Sequence, residues 1–286
     1  MSLRPFRTPV AMSDAGIWAL QFGFLPRTVG GLVKTIQGLL IHEHMPDFYG
    51  ITLSDRQRGE PHLRGTAEML ERIAVHDPSP IEEARSPAER FACCCRHYTL
   101  MLVAMLRQRG IAARARCGFG AYFMKDMFLD HWVAEYWNNE ERRWVLVDAQ
   151  IDPVQRKKFG IDFDTLDVSR QKFLVAGDAW KLCRDGKANP QAFGVLDMFG
   201  LWFIASNVIR DVAALNNREM LPWDVWGGMT RVDAELDLAF IDRLAALTHE
   251  PDQHLDELRA VYEDQRIAVP PTVFNAVLNR PETVSL

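Results

Sequence analysis

The middle of this 286-residue chain, from about residue 86 to 155, changes from a helical to an alternating hydrophobic pattern. Leu100 to Arg109 carries apolar residues at helical spacing, and Gly110 is placed to end that helix. From Ala113 to Phe119 apolar residues then alternate with polar or small ones, as expected of a half-buried strand. The pattern predicts a helix followed by a small antiparallel sheet, which belongs to the α+β class.

Two further strand-like runs, His131 to Trp137 and Arg142 to Ala149, lie on either side of the turn-like segment 138–141. If a two- or four-residue loop is centred on this turn, facing residue numbers sum to 279, so His131 lies opposite Asp148. An odd-length loop or a bulge would break this register. The pair is either a functional imidazole–carboxylate pair or a structural one, and the spacing favours neither.

The flanks of this region are predicted to be mainly helical. Upstream, helices are expected over Val29–His42 and Thr66–His76. Downstream they are expected over Leu196–Asn216, Val232–Leu247 and Asp252–Asp264. We therefore expect one domain over residues 1–286, with a core at about 86–155 and helical extensions at 1–85 and 156–286.

The composition fits an ordinary globular protein, because 48% of the residues are hydrophobic and 25% are charged. The 38 acidic and 33 basic residues give a net charge of -5, which argues against a nucleic-acid partner. The longest apolar run, Ala15 to Pro26, is interrupted by Gln21 and is too short to span a membrane. We expect no membrane partner and no targeting signal.

The five cysteines make a poor disulfide framework, since their number is odd and Cys93, Cys94 and Cys95 are consecutive. A cytoplasmic location follows as an expectation. Ser86 to Glu89 resembles a capping box that would start one long helix and leave Cys95 in its middle. We predict instead a short helix, a break around 92–94 and a new helix that starts at Cys94 or Cys95. At such a helix N-terminus a thiolate is stabilised, so Cys95 is the candidate nucleophile.

Three sequence blocks resemble the transglutaminase-like superfamily. The segment from Cys95 to Arg114 resembles its cysteine block, in which the nucleophile opens a helix that ends in a glycine-isoleucine phrase. Asp130–Tyr136 resembles the histidine block, and Trp144–Ala149 resembles the aspartate block. The distance from Cys95 to Gly110 selects Cys95 among the three neighbouring cysteines. The resemblance covers less than a quarter of the chain. The helical flanks of the chain are similar to those of bacterial members of the superfamily without an assigned function.

The resemblance implies a papain-like α+β core and a catalytic triad of Cys95, His131 and Asp148. It implies thiol-dependent acyl transfer, or hydrolysis of a protein, peptide or small amide substrate through a thioester, with no metal and no organic cofactor. Hydrolysis is expected, because the sequence shows no dedicated amine site. The backbone N–H of Cys95 is a generic oxyanion-hole candidate. The alternative is a catalytically silent scaffold that binds proteins. The substrate and the oligomeric state stay open.

Several other groups have two interpretations each. Cys93 and Cys94 are zinc ligands with His97 or, as we favour, small buried residues. The segment 42–44, His-Glu-His, is a metal site, a substrate-binding segment or, as we favour, a helix end. Arg114 and Arg116 bind an anionic substrate or, as we favour, form ion pairs or a solvated face. The aromatic segment 223–228 covers a groove or, as we favour, packs on the core.

Overall fold

Helices and strands alternate along residues 3–285, the part of the chain that the computed structural model describes. The α-helices are α1 (Val29–Leu39), α2 (Asp55–Arg58), α3 (Thr66–His76), α4 (Cys95–Gln108), α5 (Pro153–Phe159), α6 (Ala176–Arg184), α7 (Leu201–Leu215), α8 (Leu238–His249) and α9 (Leu255–Tyr262). The strands are β1 (Leu40–His42), β2 (Phe91–Cys93), β3 (Ala113–Gly120), β4 (Phe128–Asn138), β5 (Arg143–Val147), β6 (Phe173–Val175), β7 (Phe193–Val195), β8 (Met198–Phe199), β9 (Asp224–Val225), β10 (Thr272–Asn275) and β11 (Arg280–Thr283). Short 3-10 helices, among them Gly16–Gly23, Glu60–His62 and Pro87–Glu89, join these elements. The predicted α+β class is confirmed.

The chain divides into two compact units, which we call the thiol unit and the histidine unit. The thiol unit consists of Leu3–Arg114 and Val133–Val168 and contains Cys95 and Asp148. The histidine unit consists of Ala115–Trp132 and residues 169–285 and contains His131. Strands β3 and β4 each begin in one unit and end in the other. Neither unit is therefore a continuous piece of sequence.

In the thiol unit, α1 packs against α4, which is buried along almost its whole length. The Thr28 hydroxyl caps α1 by accepting a hydrogen bond of 3.1 Å from the Gly31 N–H. The expectation that this helix runs to His42 is wrong, because it ends at Leu39 and the chain continues directly as β1. Strand β1 pairs in parallel with β2, with Leu40 opposite Phe91 and His42 opposite Cys93. Long-range pairing thus overrides the local helical pattern.

The predicted break before α4 is confirmed. A 3-10 turn over Pro87–Glu89 leads into β2, and α4 then begins at Cys95. Two side chains from upstream hold this stretch extended. The Gln57 amide donates to the carbonyls of Ala88 (3.2 Å) and Arg90 (2.9 Å), and the Glu60 carboxylate accepts from the Ala92 N–H (2.8 Å). These backbone groups are therefore satisfied without a helix.

The hairpin of β4 and β5 has a different register from the predicted one. Trp137 lies opposite Trp144, and Asn138 lies opposite Arg143, so facing numbers sum to 281 rather than 279. The loop is displaced by one residue, because the Asn138 side chain accepts from the Glu140 N–H (3.0 Å) and Arg142 takes a left-handed conformation (φ 54°). The prediction that His131 is directly opposite Asp148 is therefore wrong. The shift of two leaves the parity unchanged, so residues predicted to share a face still do.

The larger sheet has six strands, with the order β6-β3-β4-β7-β8 and with β5 also paired with β4. Most of its pairs are antiparallel, but β4 and β7 are parallel, so the sheet is larger and more mixed than predicted. Helices α6, α7 and α8 pack on one another, and β9, β10 and β11 form a separate small sheet. Strand β3 is buried on both faces, so the expectation of a half-buried strand is wrong.

The downstream helices are present but differ at their ends. Helices α7 and α9 lie inside the predicted ranges, whereas α8 starts six residues later than expected and ends at His249. Among residues 3–285, no helix combines the length and the apolar character that crossing a membrane requires.

Candidate active site

Cys95 is the first residue of α4, and Cys94 is the extended residue that precedes the helix (φ -109°, ψ 177°). Cys95 is buried, with 6% of its surface exposed. The backbone N–H groups of a first helical turn and the helix dipole favour a negative charge at this end. Cys95 therefore occupies the position at which a thiol is most readily activated.

A second thiol–imidazole contact lies directly beside this position. The Cys94 Sγ is 3.3 Å from the His97 Nδ1, and the Cys94 N–H donates to the same nitrogen at 3.3 Å. The His97 Nε2 donates to the Leu63 carbonyl at 2.9 Å, which leaves Nδ1 as the acceptor when the ring is neutral. Burial by itself raises the pKa of the Cys94 thiol, but its hydrogen bond with Cys95 and the charge of His97 hold it well below the ordinary value.

The remaining cysteines are unlike Cys94. Burial raises the pKa of Cys93 and of Cys117 well above the ordinary thiol value and that of Cys183 to about 11. All five cysteines are free thiols. The prediction that Cys117 lies on a strand is confirmed by its place in β3. A role as small packing residues thus fits Cys93, Cys117 and Cys183, but it does not explain the lowered pKa of Cys94.

In the histidine unit, His131 lies on β4 and is held by aromatic rings. The centroid of its imidazole is 4.8 Å from that of Phe123, 6.0 Å from that of Tyr122 and 6.3 Å from that of Phe173, all in edge-to-face geometry. The side chain is buried. Three rings at these angles restrict the rotation of the imidazole, which keeps its two nitrogens in fixed directions.

Asp148 follows the last residue of β5 in the thiol unit and is fully buried. One carboxylate oxygen accepts from the Gln150 N–H at 3.0 Å, and the Asp148 N–H donates to the Thr165 carbonyl at 2.9 Å. The Gln37 side chain on α1 donates to the carbonyls of Ala149 (3.2 Å) and Ile151 (3.1 Å). The segment that carries the carboxylate is therefore fixed from both sides.

The His-Glu-His segment at 42–44 lies next to the thiols. Strand β1 brings His42 opposite Cys93, and the Glu43 N–H donates to the Cys93 carbonyl at 2.8 Å. The interpretation as a helix end is wrong, since His42 is a strand residue. Burial and then the negative charge of Cys94 raise the pKa of Glu43 to about 8. Among residues 3–285, no group of three or more His, Cys, Asp or Glu side chains is arranged to hold a metal ion.

The two arginines of β3 are buried in ion pairs. Arg114 contacts Glu135 at 2.6 Å and lies 3.8 Å from the ring centroid of Trp144. Arg116 contacts Asp211 at 2.9 Å with both side chains fully buried. The favoured interpretation as ion pairs is confirmed, and the solvated face is wrong.

The aromatic segment 223–228 also has a structural contact. The indole N–H of Trp226 donates to the Ile267 carbonyl at 2.9 Å, and the side chain is buried. This supports packing as the role of Trp226.

The structure places Cys95 and Asp148 in the thiol unit and His131 in the histidine unit. Sequence reasoning missed the contact of His97 with Cys94. A signal for it was available, because the two residues have the spacing of a capping box, in which the third helical residue reaches back to the residue before the helix. The segment 42–44 was one of the candidates from sequence, but only the pairing of β1 with β2 shows that Glu43 lies alongside the thiols.

Comparison with known proteins locates a family resemblance in the same region. Residues 67–149 match the model of the transglutaminase-like superfamily. One solved structure, a candidate cysteine protease from Cytophaga hutchinsonii, aligns at 15% identity over 62% of this chain and 48% of that chain, with a TM-score of 0.35. The present chain thus aligns with about half the length of that protein. No protein of curated function matches.

Proposed function

We propose, because residues 67–149 match the model of the transglutaminase-like superfamily, that the chain is a thiol-dependent acyltransferase or hydrolase. Its nucleophile is Cys95, its general acid–base is His131, and Asp148 orients the imidazole. The substrate is an amide or peptide-type compound, and hydrolysis is the favoured reaction. The free cysteines support a reducing location, the cytoplasm.

The observation that carries this proposal is the position of Cys95 at the first residue of α4, within the matched segment. The local sequence is compatible with one long helix through Cys95, but the helix starts only at Cys95. The side chains of Gln57 and Glu60 form hydrogen bonds that hold the preceding residues extended. The helix N-terminus gives the thiol an environment that stabilises its ionised form.

The surroundings of the other two residues support their roles. His131 is oriented by the rings of Tyr122, Phe123 and Phe173, and Asp148 is buried with one oxygen already bound. Alternation along a strand puts His131 and Glu135 on the same face of β4, and Glu135 lies opposite Leu146. Asp148 has the parity of Leu146, as its proposed role of orienting the imidazole requires.

In the proposed mechanism, His131 takes the proton of the Cys95 thiol and becomes an imidazolium. The thiolate sulfur bonds to the carbonyl carbon of the substrate. The carbon–nitrogen bond then breaks as the imidazolium gives its proton to the leaving amine, and a thioester remains. Water attacks the thioester while His131 accepts its proton, the carbon–sulfur bond breaks, and the thiol is reprotonated. The net reaction converts an amide and water into a carboxylic acid and an amine.

The first test is reactivity with iodoacetamide near neutral pH, with the modified residue identified by peptide fragmentation. We expect Cys95 to react faster than a free cysteine, and His131→Ala to slow this reaction. In a screen of peptide amides and esters, Cys95→Ala should lower turnover by at least about 1,000-fold. Cys183→Ala is the control, because that thiol is half-buried and its pKa is raised. Added amines distinguish transamidation from hydrolysis.

Ordinary reactivity of Cys95, together with no effect of Cys95→Ala and His131→Ala in the screen, would contradict the enzymatic role. The alternative, a transglutaminase-like scaffold that binds proteins without catalysis, would then hold.

A further inference from the structure

Glu43 is a carboxylate that the proposed mechanism does not use, although its backbone is bonded to the strand that leads into the nucleophile. The pairing of β1 with β2 continues to the hydrogen bond from the Glu43 N–H to the Cys93 carbonyl (2.8 Å). Neighbouring strands lie roughly 5 Å apart, so the Glu43 backbone runs alongside Cys94. The next residue, with its Cα about 3.8 Å further along the chain, is Cys95.

The Glu43 side chain is half-buried, and no hydrogen bond or ion pair from residues 3–285 reaches its carboxylate. Other acids that are shielded from solvent have such a partner. Asp152, for example, accepts from Tyr49 and from the Gln155 N–H, and Asp178 contacts Arg170 and His249. A carboxylate removed from water without a partner is costly. A ligand that supplies the partner would remove this cost.

The groups around Glu43 define what that ligand can be. Its own segment contributes His42, whose Nδ1 accepts from the His44 N–H (3.2 Å), and His44 itself, which is exposed. From β2 and the start of α4 come Cys93 and Cys94, and behind them His97. The negative charge of Cys94 acts on Glu43, and no neighbouring cation lowers its pKa, which is about 8. An incoming positive charge is therefore the complementary group, whereas an anion would be repelled.

We propose that Glu43 is the binding site for a cationic group, an ammonium or a guanidinium, carried by the acyl substrate that Cys95 attacks. The proposal rests on the function proposed above and names a property of its substrate. Glu43 lies in the helical flank, outside residues 67–149 that match the family. The specificity is thus a contribution of this chain's own extension to the shared core.

The test uses two reagents that react with thiols and differ only in charge. These are 2-(trimethylammonium)ethyl methanethiosulfonate and its uncharged carbon isostere, 3,3-dimethylbutyl methanethiosulfonate. Each transfers its alkylthio group to a thiolate, which forms a mixed disulfide and releases methanesulfinate. The rate constant for Cys95 is the difference between the rate constants of the wild type and of Cys95→Ala. The ratio of this rate constant for the cationic reagent to that for the neutral reagent is measured at pH 6.5 and pH 9.

In the wild type we expect this ratio to be about tenfold higher at pH 9, where Glu43 is ionised, than at pH 6.5. In Glu43→Gln this rise between pH 6.5 and pH 9 should be lost. Asp47→Asn is the matched control, because it removes an exposed charge from the same segment and should leave the wild-type ratio unchanged. Glu43→Gln removes an unpaired charge, so its melting temperature should not fall.

An equal ratio in Glu43→Gln and the wild type at pH 9 would overturn the cationic subsite. If Cys95 reacts no faster than a free cysteine but Glu43→Gln still abolishes the charge preference, the subsite stands and the proposed catalysis fails. If Cys95 is highly reactive and Glu43→Gln has no effect, only the subsite fails.

Discussion

At the scale of residues, adjacent thiols of one sequence have opposite properties because their surroundings differ. Cys93 lies within β2, fully buried, and burial raises its pKa. Cys94, the next residue, meets the His97 imidazole and the Cys95 thiol, which lower its pKa. The chain therefore places an ionisable thiol directly before the proposed nucleophile. A negative charge on Cys94 would oppose ionisation of Cys95. Because the charge of His97 lowers the pKa of Cys94, His97 affects which of the two thiols is ionised.

We predict that His97→Gln raises the pKa of the most acidic thiol by roughly one unit or more, because an amide cannot provide the positive charge of an imidazolium. Glutamine keeps an acceptor for the Cys94 N–H, so the helix cap is retained. The measurement is thiolate absorbance near 240 nm as a function of pH. Cys183→Ser should leave the titration step in place, and Cys94→Ser should abolish it. If the step persists in Cys94→Ser and is lost in Cys95→Ser, the most acidic thiol is Cys95, and the prediction for Cys94 is wrong.

At the scale of elements, the start of α4 depends on a buried acid outside it. Glu60 accepts from the Ala92 N–H of β2 (2.8 Å), and its other oxygen lies 2.7 Å from His76 Nε2 at the end of α3. Burial raises the pKa of Glu60 to about 7 against the opposing effects of the Ala92 N–H, Arg56 and Arg72. Burial also lowers the pKa of His76. The pair thus joins α3, the 3-10 helix at Glu60–His62 and β2.

Glu60→Gln should make the protein less sensitive to pH. A pKa raised in the folded state means that this group stabilises the fold fully below its unfolded pKa of 4.5, and that the contribution is lost as pH rises to about 7. The amide does not titrate, so the free energy of unfolding of Glu60→Gln relative to wild type should increase by on the order of 2 kcal/mol between pH 4.5 and 8. The lowered pKa of His76 acts in the opposite direction in both proteins.

Urea unfolding at the two pH values provides the measurement, with the exposed Glu82→Gln as control. A difference between Glu60→Gln and wild type that stays constant with pH would show that Glu60 does not titrate in this range.

At the scale of the whole molecule, the chain passes between the two units after residues 114, 132 and 168. Two of these passages lie inside the continuous strands β3 and β4. The proposal of a single domain over 1–286 follows from this connectivity, because neither unit can be separated as one segment. In the histidine unit, the Asp211 carboxylate accepts from Arg116 (2.9 Å) and from the Cys117 N–H (2.9 Å), all buried.

Asp211→Ala should lower the free energy of unfolding by about 3–5 kcal/mol, since it leaves the Arg116 guanidinium buried without its carboxylate. If the chain is one domain, fluorescence and far-UV circular dichroism should report one coincident unfolding transition, and the substitution should shift all of it. Asp197→Ala, an exposed acid of the same unit, should change little. Two separate transitions, only one of them sensitive to Asp211→Ala, would contradict the single domain.

Features that depend on local pattern could be predicted from the amino-acid sequence. The range of α3 and the helix end at Gly110 follow from periodicity and glycine chemistry. The family resemblance was also visible in the sequence, and the match to residues 67–149 confirms it. The triad of Cys95, His131 and Asp148 stays a prediction.

Features that depend on contacts between distant segments could not be predicted in this way. The pattern of Val29–His42 is helical throughout, yet pairing with β2 turns its last three residues into β1 and brings Glu43 beside Cys94. The hairpin register depends on the Asn138 side chain and the left-handed Arg142. A register shift of two residues keeps every side chain on the same face, so the hydrophobic pattern cannot distinguish the two registers. The polar faces of strands gave no sign that Arg114 and Arg116 would be buried, because their carboxylate partners lie 21 and 95 residues further along the chain. Such partners are chosen by packing, which local sequence does not encode.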